Sequence, residues 1–317
     1  MMQTMTTPHL GHDMATFAKA AASNLLARFA PSTYVRLTRQ TGRGADEPDP
    51  DQIVDYFFRC VADYGAQLQL DGPALQAFLR GKEVLEYGPG DILGVALLLY
   101  AHGAAAVHCV DRFPLESASA KNLRVYERII ERLDGEARRR AMAAFNVSDR
   151  PDSGFRPDCV RYTVSRDGLA GGGHGYDLVI SRAVLEHVNS LERTLVDIAA
   201  SLKPGGVSIH NVDLKSHNLD RFQAFDFLTW PDWAYRMMYS HKGFPNRWRI
   251  DAYRRIVAGT ALRLAALEPT GKLPAEDIER IRPRLAPPFR DLAADDLRWL
   301  GFWMVLQRAP AAAGPRS

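Results

Sequence analysis

The chain has 317 residues, of which 46% are hydrophobic and 24% charged, and its formal net charge is +3. This composition is that of a globular protein with a sizeable core, and so small a charge excludes an obvious electrostatic preference for a polyanionic partner. The three cysteines, Cys60, Cys109 and Cys159, show no CxxC spacing. They support neither a disulfide framework nor a zinc site, and they are typical of the reducing cytoplasm.

Helices are predicted along the first 81 residues. Residues 14–45 contain no Asp or Glu but five Lys or Arg, and their apolar residues fall near one face of a helix. We interpret this segment as an amphipathic helix packed on the body; the alternative is a basic flap over an acidic substrate or an anionic lipid surface. Two further helices are predicted at 52–64 and 73–80, and the first residues lack the order of a secretory signal.

From residue 82 the pattern changes to strands that alternate with helices, which predicts a mostly parallel sheet covered on both faces. The apolar run 92–110 contains turn residues, so we interpret it as a helix, a turn and a buried strand and predict a soluble protein without a membrane span. The predicted strands are 83–88, 106–111, 159–164, 176–181 and 207–214, and the predicted helices between them are 92–103, 121–133 and 191–202.

The turn "VLEYGPGD", residues 84–91, joins the first strand to the first helix of this sheet. Ligands of open α/β sheets bind at the carboxyl ends of the strands, where this turn lies. Gly88 can take backbone angles that other residues avoid, and Gly90 lets a ligand approach the main chain. Asp111 ends the second strand, where an acid accepts hydrogen bonds from ribose hydroxyls. The turn therefore predicts a ligand that carries a nucleoside.

Two features argue against a dinucleotide at this turn. The pattern G-x-G-x-x-G is not met, because Gly94 comes one residue late. Asp91 and Glu86 also place negative charge where a pyrophosphate would be repelled. A nucleoside with a cationic amino acid end fits better.

The segment "LEYGPGD" resembles motif I of class I S-adenosylmethionine-dependent methyltransferases. Three further segments are similar to later motifs of that family and follow in its order: "VHCVD", "YDLVISRAVLEHV" and "LKPGGVSI". The resemblance covers roughly 82–213 and implies S-adenosyl-L-methionine as the cofactor. It also implies a Rossmann-like α/β fold with a seven-stranded, mostly parallel sheet, an antiparallel last strand and helices on both faces. We place the sixth strand at 262–267 and the seventh at 301–308.

The resemblance also assigns cofactor contacts. It implies that the glycine turn after the first strand holds the methionine end of the cofactor. It also implies that the acid at the end of the second strand holds the ribose and that the residue after this acid flanks the adenine. The end of the fourth strand is expected to lie beneath the cofactor. These residues are Glu86, Tyr87, Gly88 and Gly90 for the methionine end, Asp111 for the ribose, Arg112 and Asp167 near the adenine, and Ser181 and Arg182 beneath the cofactor.

The chain is longer than the family core, and we predict that the surplus covers the ligand. The aromatic-rich segment 213–250, here called the lid, is expected to enclose a small-molecule acceptor; the alternative is a helical cap with a core of its own. Arg247 and Arg249 are candidates for gripping an anionic acceptor, with surface solvation as the alternative. The predicted divisions are an N-terminal helical cap 1–81, the cofactor core 82–212, the lid 213–250, the rest of the core 251–309 and a disordered tail 310–317.

Methyl transfer is an in-line displacement that depends on positioning, and an alcohol acceptor also benefits from a base. Candidate bases are His187, His210 with Asp213, and His241. Glu186, His187 and His210 form an alternative metal site of the kind that some RNA-end methyltransferases use, although we expect no metal.

The leading hypothesis is O-methylation of a sugar or secondary metabolite. The alternatives are N-methylation of a small molecule, an RNA methyltransferase, and a cofactor-binding protein without catalysis. No N/D-P-P-Y/F motif or Pro-Cys nucleophile occurs in the sequence, so no nucleic-acid partner is expected. The oligomeric state, including a homodimer, stays open.

Overall fold

A computed structural model describes residues 10–38, 49–220 and 223–309, and in these ranges the chain forms a seven-stranded sheet. Its strands are β1 (Glu83–Tyr87), β2 (Ala106–Asp111), β3 (Val160–Val164), β4 (Tyr176–Arg182), β5 (Leu202–Asp213), β6 (Leu262–Lys272) and β7 (Trp299–Arg308). Their order across the sheet is β3-β2-β1-β4-β5-β7-β6, and β7 runs antiparallel to both of its neighbours while the remaining pairs are parallel. The predicted fold class is confirmed.

Helices cover both faces of the sheet and its ligand-facing edge. They are α1 (Leu10–Phe29), α2 (Pro31–Thr38), α3 (Pro50–Gln67), α4 (Gly72–Leu79), α5 (Gly94–Ala101), α6 (Ala120–Arg132), α7 (Gly135–Ala143), α8 (Leu191–Ser201), α9 (Asp232–Tyr239), α10 (Ile250–Ala258), α11 (Ala275–Ile281), α12 (Pro287–Arg290) and α13 (Ala294–Leu297). Serine side chains cap the N-termini of two crossover helices. Ser119 and Ser190 accept hydrogen bonds from backbone N–H groups in the first turns of α6 and α8, respectively.

Alternating side chains of the parallel strands supply two separate cores. Val84 of β1 packs with α3, α5 and α6 on one face, whereas its neighbour Leu85 packs with α8 and α10 on the other. Both side chains are fully buried, as expected for a strand covered on both sides. This burial fixes the position at which β1 ends and therefore the position of the glycine turn.

The lid has a third core of its own. Phe225, Phe227 and Tyr235 from the lid pack against Ile278 and Phe289, which lie in the segment between β6 and β7. The lid and that segment therefore form one packed unit beyond the strand ends. This packing agrees with the cap alternative, and such a cap still covers the edge where a ligand binds.

The N-terminal helices divide between two locations. α1 packs on α9 of the lid, where the ring centroids of Phe17 and Trp233 are 6.0 Å apart. α2 contacts the body, because the ring centroid of Tyr34 lies 5.9 Å from that of Phe113, just beyond the end of β2. In contrast, α3 lies on the sheet face against α5 and α6. The basic N-terminal segment thus joins the lid, while the following helices belong to the body.

Some elements differ from the sequence-based prediction. β6 continues to Lys272, beyond the predicted 262–267, because it pairs with β7 along nearly its whole length. α7 and α10 to α13 were not predicted. The predicted tail 310–317 and residues 39–45 of the basic segment lie outside the described residues. No helix in the described ranges combines the length and the hydrophobicity needed to cross a lipid bilayer.

Candidate cofactor and acceptor site

The turn after β1 requires bare main chain. Gly88 and Gly90 have φ angles of +64° and +80°, in the left-handed region that residues with a side chain rarely adopt. A Cβ atom at Gly88 would lie 2.4 Å from Cγ2 of Val184, and the Gly88 N–H donates to the Val110 carbonyl at 2.8 Å. The turn is therefore held tightly between β2 and the loop after β4.

Asp111 presents one carboxylate oxygen that the protein does not use. Its Oδ1 accepts hydrogen bonds from the backbone N–H groups of Arg112 and Phe113 at 2.7 and 3.2 Å. Its Oδ2 is buried and has no hydrogen-bond partner among the described residues. Burial raises the pKa of Asp111 to about 6. An unpaired buried oxygen is costly, and a ribose hydroxyl would satisfy it.

Glu86 is the second carboxylate beside the turn, and its side chain is almost fully buried. The thiol of Cys109 donates to its Oε2 at 3.6 Å. Burial, with a smaller contribution from the nearby Asp111, raises the pKa of Glu86 to about 8. A cation bound here would favour the ionised form, so the site suits a ligand with a positive charge.

Tyr87 and Ser181 point toward the face of the sheet that α8 and α10 cover. The Tyr87 hydroxyl donates to Oδ2 of Asp197 on α8 at 2.5 Å, and the Ser181 hydroxyl lies 2.8 Å from Nδ1 of His210. All of these side chains are buried. Their contacts join the end of β1 to α8 and the end of β4 to β5.

Two further predicted residues take part in ion pairs. Arg182 donates to Oδ2 of Asp63 on α3 at 2.7 Å, and its guanidinium lies over the ring of Trp303 at 5.5 Å. Asp167 accepts from Arg193 at 2.9 Å in an exposed loop. Arg182 therefore ties the end of β4 to the N-terminal body, and Asp167 ties the loop after β3 to the start of α8.

Arg112 connects the cofactor edge with the lid. Its guanidinium donates to Oδ1 of Asn189 at 2.8 Å and to the carbonyl of His241 at 2.7 Å, and it lies 5.1 Å from the ring of Phe113. Burial lowers the pKa of Arg112 to about 10. A residue predicted only to flank the adenine thus also holds the lid.

The candidate bases have different surroundings. His210 is fully buried, which lowers its pKa to about 3, and its Nε2 has no partner within the described ranges. His241 is half-buried, and its backbone is held on both sides, by Oδ1 of Asn24 at 2.7 Å and by Arg112. Burial also lowers the pKa of His241. His241 is therefore partly exposed, unlike the fully buried His210.

Sequence reasoning missed His217 and Asn24. His217 lies four residues beyond Asp213. It forms a cluster with Glu186 and His187, in which one side-chain ligand atom of each residue lies within 4.8 Å of those of the other two. Oδ2 of Asp213 is 3.6 Å from Nε2 of His217. The spacing of Asp213 and His217 was a usable signal, whereas the contact of Asn24 with the lid joins residues too far apart to be read from the sequence.

The two lid arginines are engaged by the protein. Arg247 donates to Oδ1 of Asp232 at 2.9 Å and to the Trp230 carbonyl at 2.5 Å. Arg249 is almost fully buried and donates to the backbone carbonyls of Leu214, Leu297 and Trp299. The guanidinium of Arg249 thus serves the architecture of the lid.

A sheet of this order, with a bare glycine turn between two buried carboxylates, defines the class I methyltransferase fold with a nucleoside site. Residues 63–266 match the model of a family described as a methyltransferase domain. The match spans more than half of the chain, so the chain belongs to this family and is an S-adenosylmethionine-dependent methyltransferase. The unpaired oxygen of Asp111 fits the ribose of S-adenosyl-L-methionine as its cofactor.

Solved structures of methyltransferases are similar to the chain at low identity, whereas no curated protein matches it. An S-adenosylmethionine-dependent methyltransferase from Mesorhizobium loti is 19% identical, with 74% of this chain and 96% of that chain covered and a TM-score of 0.40. One from Methanosarcina mazei is 14% identical, with 73% and 94% covered and a TM-score of 0.37. The geranyl diphosphate C-methyltransferase from Streptomyces coelicolor is 14% identical, with 74% and 78% covered and a TM-score of 0.39.

Proposed function

We propose that this enzyme methylates an oxygen atom of a small-molecule acceptor, of the sugar or secondary-metabolite class, held beneath the lid. The observation that carries the proposal is the closure of α1, α2 and the lid over the carboxyl ends of the strands. Asn24 of α1, Tyr34 of α2 and Arg112 of the body all contact the short segment His241–Lys242. An acceptor of limited size fits beneath such a cover.

The same cover argues against a nucleic-acid acceptor. A polymer would have to pass between α1 and the strand ends, where Lys242 is buried and donates to Ser23 at 2.9 Å. Binding to a phosphate backbone also requires several solvent-accessible cations along a track. The formal net charge of the chain is only +3. These features favour a small molecule over RNA.

The chemistry needs few groups because S-adenosylmethionine, when bound, supplies a methyl group on a sulfonium that leaves readily. The acceptor oxygen forms the new C–O bond as the C–S bond breaks, and the hydroxyl proton must leave. We assign the removal of that proton to the ring of His241, while the lid excludes water and holds the hydroxyl in line. The lowered pKa of His241 keeps the ring neutral, and able to accept a proton, at pH 7.

Turnover across a library of alcohols, amines and RNA oligonucleotides tests the proposal. We expect methylated alcohols, with His241→Asn lowering kcat by roughly 100-fold or more and leaving cofactor affinity unchanged. His174→Asn, which changes an exposed histidine in the loop before β4, serves as the control and should retain full activity. The proposal would be contradicted if only amines or RNA were methylated, or if His241→Asn and His174→Asn had equal turnover rates.

A further inference from the structure

We propose that Glu186, His187 and His217 bind a divalent transition-metal ion of the zinc class. The first two residues follow β4 and the third follows β5, so all three lie at the carboxyl ends of neighbouring strands. One ligand atom from each lies within 4.8 Å of the other two. The structure places His217 in this group, whereas His210, the residue considered from the sequence, has its Nδ1 against the hydroxyl of Ser181.

The strongest observation is that each of the three clustered residues has one unsatisfied side-chain atom. Oε2 of Glu186, Nδ1 of His187 and Nε2 of His217 are each buried, and none has a hydrogen-bond partner in the part of the chain that the structure describes. A buried polar atom that is left unpaired destabilises the fold. A shared cation satisfies all three at once, which explains why the fold retains them together.

Neighbouring groups orient the donors as metal ligands are oriented. Oε1 of Glu186 accepts from the backbone N–H of Asp213 at 3.2 Å, which leaves Oε2 for another partner. The ring of His187 makes a hydrogen bond with the backbone of Phe244. Histidine ligands usually make such a bond through the nitrogen that does not touch the metal.

Asp213 lies beside one of these donors, although it does not belong to the group whose ligand atoms all lie within 4.8 Å of one another. Its Oδ2 lies 3.6 Å from Nε2 of His217. Two ligand atoms of one tetrahedral zinc ion, each about 2.1 Å from the metal, are about 3.4 Å apart. The short distance between Asp213 and His217 is also explained by an ion pair between a carboxylate and a protonated imidazole. A metal-binding measurement distinguishes this ion pair from a shared metal ion.

The donor set indicates the class of metal. Two imidazoles and a carboxylate are a known zinc combination in catalytic sites, whereas Mg²⁺ and Ca²⁺ prefer oxygen ligands. A site with three firm ligands keeps a position open for a hydroxyl, whose pKa the ion would lower. That role in activating an acceptor rests on the proposed function, but the binding of the ion does not.

Titration calorimetry of the metal-stripped full-length protein with Zn²⁺ tests the site, with Co²⁺ absorption as a second probe. We expect one ion per chain, and Glu186→Gln or His217→Asn should each weaken binding about 100-fold or more. His217→Asn suits the purpose because His217 has a φ of +50°, which asparagine tolerates well. His174→Ala is the matched control and should keep the wild-type affinity.

Unchanged S-adenosylmethionine affinity in these variants shows that they are folded. Absence of a stoichiometric site in the wild type, or equal metal affinity in wild type and variants, would overturn the proposal. The measurement needs no acceptor, so a bound ion without methylation of any alcohol removes only the proposed function. Methylation of an alcohol by a protein that binds no ion removes only the metal site.

Discussion

At the scale of single residues, Glu86 shows how burial prepares the site for a cation. Its carboxyl group is almost fully enclosed, with the Cys109 thiol at 3.6 Å. Burial raises its pKa to about 8, so the group carries a proton at pH 7 when the site holds no cation. A nearby positive charge reverses this preference, because it stabilises the carboxylate. Proton release and cofactor binding should therefore be linked.

We predict that S-adenosylmethionine binding at pH 7 releases close to one proton from Glu86. Titration calorimetry in buffers of different ionisation enthalpy measures the number of protons, and it should decrease at pH 9, where the free carboxyl is already largely ionised. Asp111, with a pKa of about 6, is mostly ionised at pH 7 and adds little. Glu86→Gln should abolish the buffer dependence. Observed enthalpies that are identical in all buffers would refute the linkage.

Gly88 provides a second prediction at this scale, with Gly81 as a matched control. Both residues have φ near +70°, but a Cβ at Gly88 would meet Val184 at 2.4 Å, whereas a Cβ at Gly81 would have no described atom within 4 Å. Gly81→Ala should cost only the backbone term of roughly 1–2 kcal/mol in urea unfolding. Gly88→Ala should cost more and should also weaken cofactor binding. If both substitutions reduce stability and cofactor affinity equally, the side chain of Val184 moves aside at little cost in free energy.

The sequence predicted the position of residues that lie in a turn of the main chain or at the end of a strand. Gly88, Gly90 and Asp111 belong to this group, because strand alternation alone locates them at the ligand edge. The pairs Arg182 with Asp63 and Asn24 with His241 were not predicted, because they join residues more than 100 positions apart. Only the assembled fold brings such side chains together.

At the scale of elements, the strands and crossover helices were predicted best, and short helices worst. β2 begins and ends where its apolar pattern does, at Ala106 and Asp111. In contrast, α12 and α13 have four residues each, too few for a periodic pattern to be recognised. They form because Phe289 and Leu297 are buried in the core of the lid, which is a tertiary effect.

The attachment of α1 to the lid depends on one buried amide. Nδ2 of Asn24 donates to the carbonyl of Met237 at 2.9 Å and to the hydroxyl of Ser240 at 3.2 Å, and Oδ1 accepts from the N–H of His241. Asn24 is only 3% exposed. The side-chain amide of Asn24 alone therefore makes several hydrogen bonds between α1 and the lid.

We predict that Asn24→Ala detaches α1 from α9. Loss of the amide leaves buried groups of the lid unpaired, so stability should decrease by about 1–3 kcal/mol and hydrogen exchange in α1 and α9 should become faster. Leu25→Ala changes the next residue, whose side chain is largely exposed, and should leave exchange unchanged. Exchange that is equally slow in both variants would mean that the ring contact of Phe17 with Trp233 holds α1 in place.

At the scale of the whole molecule, Arg249 joins the lid to the sheet. It lies just before α10 and donates to the carbonyl of Leu214 after β5 at 2.8 Å, to that of Leu297 at the end of α13, and to that of Trp299 at the start of β7. Its guanidinium also lies 4.3 Å from the centre of the Phe225 ring. One buried side chain thus bonds the three chain segments at which the lid meets the sheet.

Replacement of Arg249 by methionine should therefore loosen this junction. Arg249→Met keeps most of the side-chain volume but leaves three buried carbonyls without their donor, so we expect a loss of about 3 kcal/mol or more in urea unfolding. Arg255→Met, in the exposed part of α10, removes only an exposed ion pair with Asp251 and should change stability by less than about 1 kcal/mol. If the two substitutions have similar effects, the lid is held by its apolar core and not by this arginine.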